Sequence, residues 1–142
     1  MNSITIDEAL LLQGTKRYES ELLILDSISS SWGWQTESLA GGILMHQEQD
    51  YGGVLNAEGD TLLLSINVFL VNGNQCFTQD SLPLIIGNYD GPPMLDIISR
   101  NISQGDSVRA LVPSNMGFSL RGIPGVVPPG AMLLLEIKQL AY

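Results

Sequence analysis

PSNMGFSLRGIPGVVPPGAMLLLEIKQL, from Pro113 to Leu140, is the stretch on which the fold of this chain turns. Gly122, Pro124, Gly125, Pro128 and Pro129 interrupt any helical or strand period in its first half, so that half reads as a structured loop. From Met132 onward apolar residues dominate at strand spacing, and the segment predicts a closing β-strand.

Working outward, Asp106–Val112 alternates with Val108, Ala110 and Val112 on one face, a second strand. Ahead of it, Asp90-Gly91-Pro92-Pro93 opens a helix, with proline well placed in the first turn. Leu95, Ile98 and Ile102 step by three and four along that helix, and Gly105 ends it. Thr61–Leu70 has strand length and β-branched content, and Asn72-Gly73 behind it is a hairpin signal. Two shorter strands are predicted after the hairpin, one near Cys76 and one over Leu82–Ile86. Gly42–Asp50 reads as the first strand and Tyr51–Asp60 as a loop.

Residues 5–31 read as helical. Thr5 with Glu8 has capping-box spacing, and Ile6, Leu10, Tyr18, Leu22, Leu25 and Ile28 recur along one face. Gly14 on that face costs about 1 kcal/mol relative to Ala, so one helix and two helices are both open. SISSSWGW (Ser27–Trp34) looks like a cap and a connector, with Trp32 and Trp34 as apolar anchors. Together these elements predict an α+β fold: an antiparallel sheet wrapped around a short helix. The division expected is an N-terminal helical extension over 1–38 and a domain over 39–142.

The 142 residues, 44% of them hydrophobic, suffice for a buried core and exclude a disordered chain. A formal net charge of −9 argues against nucleic acid as partner, because there is no cationic surface to displace counterions from phosphate. Cys76 is the single cysteine, so no internal disulfide can form. No apolar run has the length to span a bilayer, so no transmembrane segment is expected. The first residues lack signal-peptide layout, which leaves a cytosolic protein or an envelope protein whose leader has been removed.

The closing segment resembles that of the FKBP-type peptidyl-prolyl cis-trans isomerases. Pro113, the aromatic Phe118, the Gly122-to-Gly125 loop, the aliphatic pair Val126-Val127, Pro128-Pro129, the small Ala131 and the final strand carry the likeness. Gly42-Ile43, Gly59-Asp60, Asn72-Gly73, Gly87 and Gly105 fit the family's earlier steps. The resemblance implies an FKBP-like domain, a proline-containing polypeptide as partner, and isomerisation of X-Pro bonds without nucleophile, metal or cofactor. An apolar cradle would favour the twisted amide over the planar ground state, against a barrier of about 18–20 kcal/mol. It also implies a bacterial cell envelope or periplasmic location in preference to the cytoplasm. Oligomeric state is read as monomer, or weak dimer through the N-terminal helix.

Carried over position by position, the cradle is thinned. The family's pocket tyrosine falls on Ile66, and its phenylalanine-aspartate pair on Cys76 and Phe77. The next phenylalanine falls on Leu82, the floor tryptophan on Leu95 and the closing-strand phenylalanine on Leu135. Phe118 keeps the loop ring without a hydroxyl, and Val126 and Val127 keep the aliphatic pair. The backbone donor before the helix falls on Gly91 and Pro92, and proline has no N–H to give. The substrate-binding set implied is Ile66, Phe77, Leu82, Leu95, Phe118, Val126, Val127 and Leu135, with activity weak or lost. The alternative is a non-catalytic peptide-binding module on the same fold.

Plainer readings stand beside these. Ile66, Leu82, Leu95 and Leu135 read first as ordinary core, and Phe118 reads equally as a loop plug. Cys76 has no cationic neighbour to lower its pKa and reads as a small buried hydrophobe. His46, the only histidine, has no partner histidine or cysteine pair and is a poor metal ligand. Gly52-Gly53 reads as a turn, because no Lys and helix start follow it.

Overall fold

The computed structural model describes residues 6–140, with side chains from Lys16 onward. The Thr5–Glu8 capping box and the apolar positions Ile6 and Leu10 lie outside the described side chains. Helix α1 spans Ile6–Ser31 and runs through Gly14 unbroken, which settles the choice between one helix and two. Strands β1 (Thr36–Ser38), β2 (Leu44–Gln49), β3 (Thr61–Leu70) and β4 (Gln75–Ile85) follow. Helix α2 (Pro93–Ser99), β5 (Ser107–Val112) and β6 (Leu133–Gln139) complete the order, with single 3-10 turns over Ala40–Gly42 and Ser114–Met116.

The strands form one six-stranded sheet in the order β1-β2-β5-β6-β3-β4, and every neighbouring pair is antiparallel. Alternation sets the main core directly. Leu62, Leu64, Ile66 and Val68 of β3, Val108, Ala110 and Val112 of β5, and Leu133, Leu135 and Ile137 of β6 all point to one face. Helix α2 lays Met94, Leu95 and Ile98 across that face. Burying each such side chain stabilises the fold by roughly 1.5–3 kcal/mol, and this face is where most of the apolar surface goes.

A second, smaller core lies on the opposite face. Leu111 of β5 and Leu134 of β6 point there and are covered by Leu25 of α1, with Ile28, Trp34, Leu44, Phe69 and Met132 around them. Central strands buried on both faces carry near-continuous apolar runs, as LLLEI and RALV do here. Helix α1 therefore packs on the sheet of its own chain. Its last turn leads through Trp32 and Trp34, 5.1 Å apart, and Trp34 stacks on His46 at 5.2 Å with the Arg109 guanidinium above it.

Three elements differ from the sequence reading. Thr36–Ser38, placed at the end of the N-terminal helical extension, forms edge strand β1; all three residues are exposed, so no hydrophobic period marks it. The two short strands expected after the hairpin are halves of one bulged strand, β4, with register shifts opposite Leu64–Ile66 and Val68–Phe69. Pro83 interrupts its pattern, and β4 tolerates a proline because it is the sheet edge. Helix α2 stops at Ser99, well before Gly105. The Asn56 side chain donates to the Ser99 and Ile102 carbonyls at 3.0 and 2.9 Å and meets the carbonyls that a longer helix would have bonded internally.

Asp96 fastens α2 to the rest of the fold. It accepts from the Gly87 N–H and the Arg100 Nε, each at 2.8 Å, and Arg100 Nη2 reaches Glu58 at 2.7 Å. Burial pushes the Asp96 carboxyl up, but the Gly87 N–H and the Arg100 guanidinium together outweigh it and hold the group below its ordinary value of 3.8. A folded-state value below the unfolded one gives stability that is present above pH 3.8 and lost as pH falls through the folded value. Asp96→Asn should lower the urea midpoint at pH 7 by about 0.3 M, a modest amount because solvent screens the pair. The gap to the native protein should close as the titration is repeated at progressively lower pH below that value; a gap unchanged at low pH would contradict the assignment.

Candidate functional site

The loop between β5 and β6, residues 113–132, packs Met116, Phe118, Ile123, Val127 and Ala131 against the main core. It starts in the 3-10 turn Ser114–Met116, and Phe118 follows directly. Gly122 then takes φ +62, and Ile123 and Val127 bond each other in both directions at 2.8 Å. Between them Pro124 precedes Gly125 at φ +74, the order a type II turn requires. The turn divides the aliphatic pair: Val127 is buried at 2% exposure and Val126 stands out at 41%.

The structure brings seven of the eight implied residues into one apolar cluster. Ile66, Leu95, Val127 and Leu135 are inside it, and Phe77, Leu82 and Phe118 are half-buried against it. The rings of Phe77 and Phe118 meet edge to face, with centroids 5.9 Å apart at 62°. Val126 is not part of the cluster. It lies on the outer side of the turn, in a groove of about 360 Å³ shared with Arg121, Pro124, Pro128 and Pro129. Ile66, Leu95 and Leu135 are each no more than 3% exposed and are interior to the cluster, while the half-buried Phe77, Leu82 and Phe118 form part of its solvent-facing rim.

The bulge in β4 lets both Cys76 and Phe77 lean on the core. Phe77 pairs with Val68 while Gln75 pairs with Phe69, and the intervening Cys76 also packs partly against the cluster. Burial pushes the Cys76 thiol up, only partly offset by a backbone hydrogen bond at Leu70, so its reactive thiolate is disfavoured. Before α2, Pro92 caps the helix in extended conformation with Pro93 in the first turn, so neither offers an N–H at that point.

Sequence reading missed three contributors. Tyr89, Met116 and Ile123 are half-buried against the same cluster. Tyr89 also borders a groove with Gly91, Pro93 and Ile97, and burial raises its phenol. Its position beside the Asp90-Gly91-Pro92 turn was the available signal. The rim is thus apolar and aromatic, and the groups in it can bind by shape and dispersion. None of Phe77, Leu82, Phe118 or Val127 carries a group that could transfer a proton.

A six-stranded antiparallel sheet closed over a short helix by a proline-glycine loop is an FKBP-like α+β architecture. No protein-family model matches the sequence. Among solved structures, the chain is similar to a peptidyl-prolyl cis-trans isomerase from Pseudomonas syringae pv. tomato, with a TM-score of 0.74 and 17% identity. The match covers 99% of this chain and 98% of that one, so α1 belongs to the shared architecture along with the sheet. Among the described residues no helix is long and apolar enough to cross a membrane.

Proposed function

We propose that this chain is an FKBP-type peptidyl-prolyl isomerase-like protein that acts on X-Pro segments of polypeptides, with isomerase activity weak or lost. The proline ring would rest against Phe77, Leu82, Phe118 and Val127, above Ile66, Leu95 and Leu135, with Val126 on the outer side of the turn. The observation that carries this reading is the Phe77–Phe118 pair, an aromatic corner at the rim of the apolar cluster. The fold shared with an isomerase supports it. Catalysis on such a surface needs no nucleophile. Rotation about the amide loses resonance and its dipole, and an apolar wall solvates the planar ground state less well than water does.

Two features limit the rate. Aliphatic residues replace the aromatic lining that the family resemblance leads one to expect at Ile66, Leu82, Leu95 and Leu135. The segment before α2 presents Pro92 where a backbone donor would meet the ligand carbonyl, and a missing donor in a dry site costs about 1–3 kcal/mol. The second feature favours the alternative reading, a peptide-binding module without turnover.

The test is X-Pro peptide isomerisation at high protein concentration, with peptide binding measured in parallel. Native turnover should fall more than tenfold short of an isomerase with a full aromatic pocket, and Phe118→Ala should remove both turnover and binding. Turnover within tenfold of such an enzyme would defeat the thinned-cradle reading. Binding without turnover would select the module reading, and neither would defeat both. In a double-mutant cycle Phe77→Ala and Phe118→Ala should couple by about 0.5–1.5 kcal/mol in stability.

A further inference from the structure

Glu21 is 7% exposed, whereas Lys16, Arg17, Glu19 and Asp26 of the same helix are exposed residues. Its two carboxylate oxygens are both engaged by a residue 93 positions away: Ser114 donates its backbone N–H to Oε1 and its hydroxyl to Oε2, each at 2.7 Å. Arg17, one turn earlier in α1, donates from Nε to Glu21 at 3.3 Å and from Nη2 to the Gly130 carbonyl at 3.0 Å. Ser114 and Gly130 are the two ends of the loop that carries Phe118, Val126 and Val127.

The loop completes the circuit internally. The Ser119 N–H donates to the Ser114 carbonyl and the Gly130 N–H donates to the Ser119 carbonyl, both at 2.8 Å. The chain of bonds Glu21–Ser114–Ser119–Gly130–Arg17–Glu21 is a closed ring joining one turn of α1 to the base of the loop. It borders a largely apolar groove of about 300 Å³ that includes Tyr18 and Leu120. A buried carboxylate is retained only where its partners are excellent, and here they belong to the candidate site's own loop.

We infer that α1 is the positioning element of the proline-binding loop, with Glu21 the positioning residue and Arg17 its second anchor. This rests on the reading of Phe118 and Val127 as the binding wall. Glu21 touches no ligand; it fixes the turn from which Phe118 projects toward Phe77. Arg17 fixes the far end, so both legs of the loop are tied to one rigid helix. Ordering the wall before a peptide arrives removes part of the entropy that binding would otherwise cost.

The experiment is residue-resolved amide hydrogen exchange on the full chain, read beside proline-peptide affinity, for Glu21→Ala, Glu21→Gln and Arg17→Ala. Glu21→Ala should speed exchange at Ser119, Gly122 and Gly130 at least tenfold while β3, β5 and β6 amides keep native protection. Peptide affinity should fall about tenfold, and Glu21→Gln, which keeps an acceptor for the Ser114 N–H, should restore most of both losses. Arg17→Ala, at an exposed side chain that leaves the buried acid in place, should affect Gly130 first. Unchanged loop exchange in Glu21→Ala and Arg17→Ala would overturn the inference. So would an equal rise in the strand amides, which would make Glu21 a general stabiliser. If Glu21→Ala fails to fold, Arg17→Ala decides the matter at the Gly130 amide: faster exchange there with native strand protection supports the inference, and unchanged exchange overturns it. Should the native protein bind no proline peptide, the functional reading fails while the exchange data still decide whether α1 orders the loop.

Discussion

Leu135→Ala should cost about 3 kcal/mol of unfolding free energy and lower the thermal midpoint by about 10 °C. Leu135 is fully buried and sits between Val68 of β3 and Ala110 of β5 at the centre of the sheet. Truncation removes the transfer free energy of its methyl groups and leaves a cavity. Ala110 is already small, and the paired strands on either side hold their spacing, so the cavity cannot collapse. Val126→Ala, on the exposed arm of the turn, should stay within about 0.5 kcal/mol of native. Denaturant titration of both variants measures the contrast. A Leu135→Ala cost below about 1 kcal/mol would mean that the site under Phe118 is loosely packed, and that a ligand ring could reach further into it than the buried side chains suggest.

How much of this was legible follows from where burial is one-sided. β5 buries alternate residues on the main core, and its period alone placed Val108, Ala110 and Val112 on one face, whereas β3 was readable from its length and β-branched content. The same logic hid the second core. Leu111 and Leu134 fall on the off-period positions of strands whose alternation points to the main core, and they are what α1 packs on. β1 has no apolar residue and exists through backbone pairing with β2. The bulge that lets Cys76 and Phe77 both lean on the core is a property of two strands together, so no single-strand period reports it. Within the candidate site, the loop residues were readable because Gly and Pro announce their backbone conformations. The meeting of Phe77 with Phe118 and of Glu21 with Ser114 was not, since each pair joins distant segments whose approach is set by the whole sheet.

Gly122→Ala should destabilise the protein by about 3 kcal/mol, more than an alanine at any other turn glycine of the loop. Two costs combine at this position. An L-residue at φ +62 sits in the left-handed region, which carries a penalty of about 1–2 kcal/mol. A Cβ there would also collide with the Val127 carbonyl oxygen and stand 2.8 Å from the Pro128 carbonyl carbon, both of them backbone atoms that cannot rotate aside. To relieve the clash the Ile123–Val127 bonds must lengthen, and Val127, held at 2% exposure, must leave the core. Gly125→Ala separates the two costs, because Gly125 has φ +74 but nothing within 4 Å of the added atom. That variant should lose only the conformational part, about 1 kcal/mol. The difference between the two variants, read in urea unfolding, is the energy with which the turn is pressed against the loop base. Equal losses would mean that the backbone shifts freely at Gly122, and the wall built from Phe118 and Val127 would then be soft without any bound peptide. Unequal losses, with peptide affinity falling only for Gly122→Ala, would tie the rigidity of the turn to the recognition of proline.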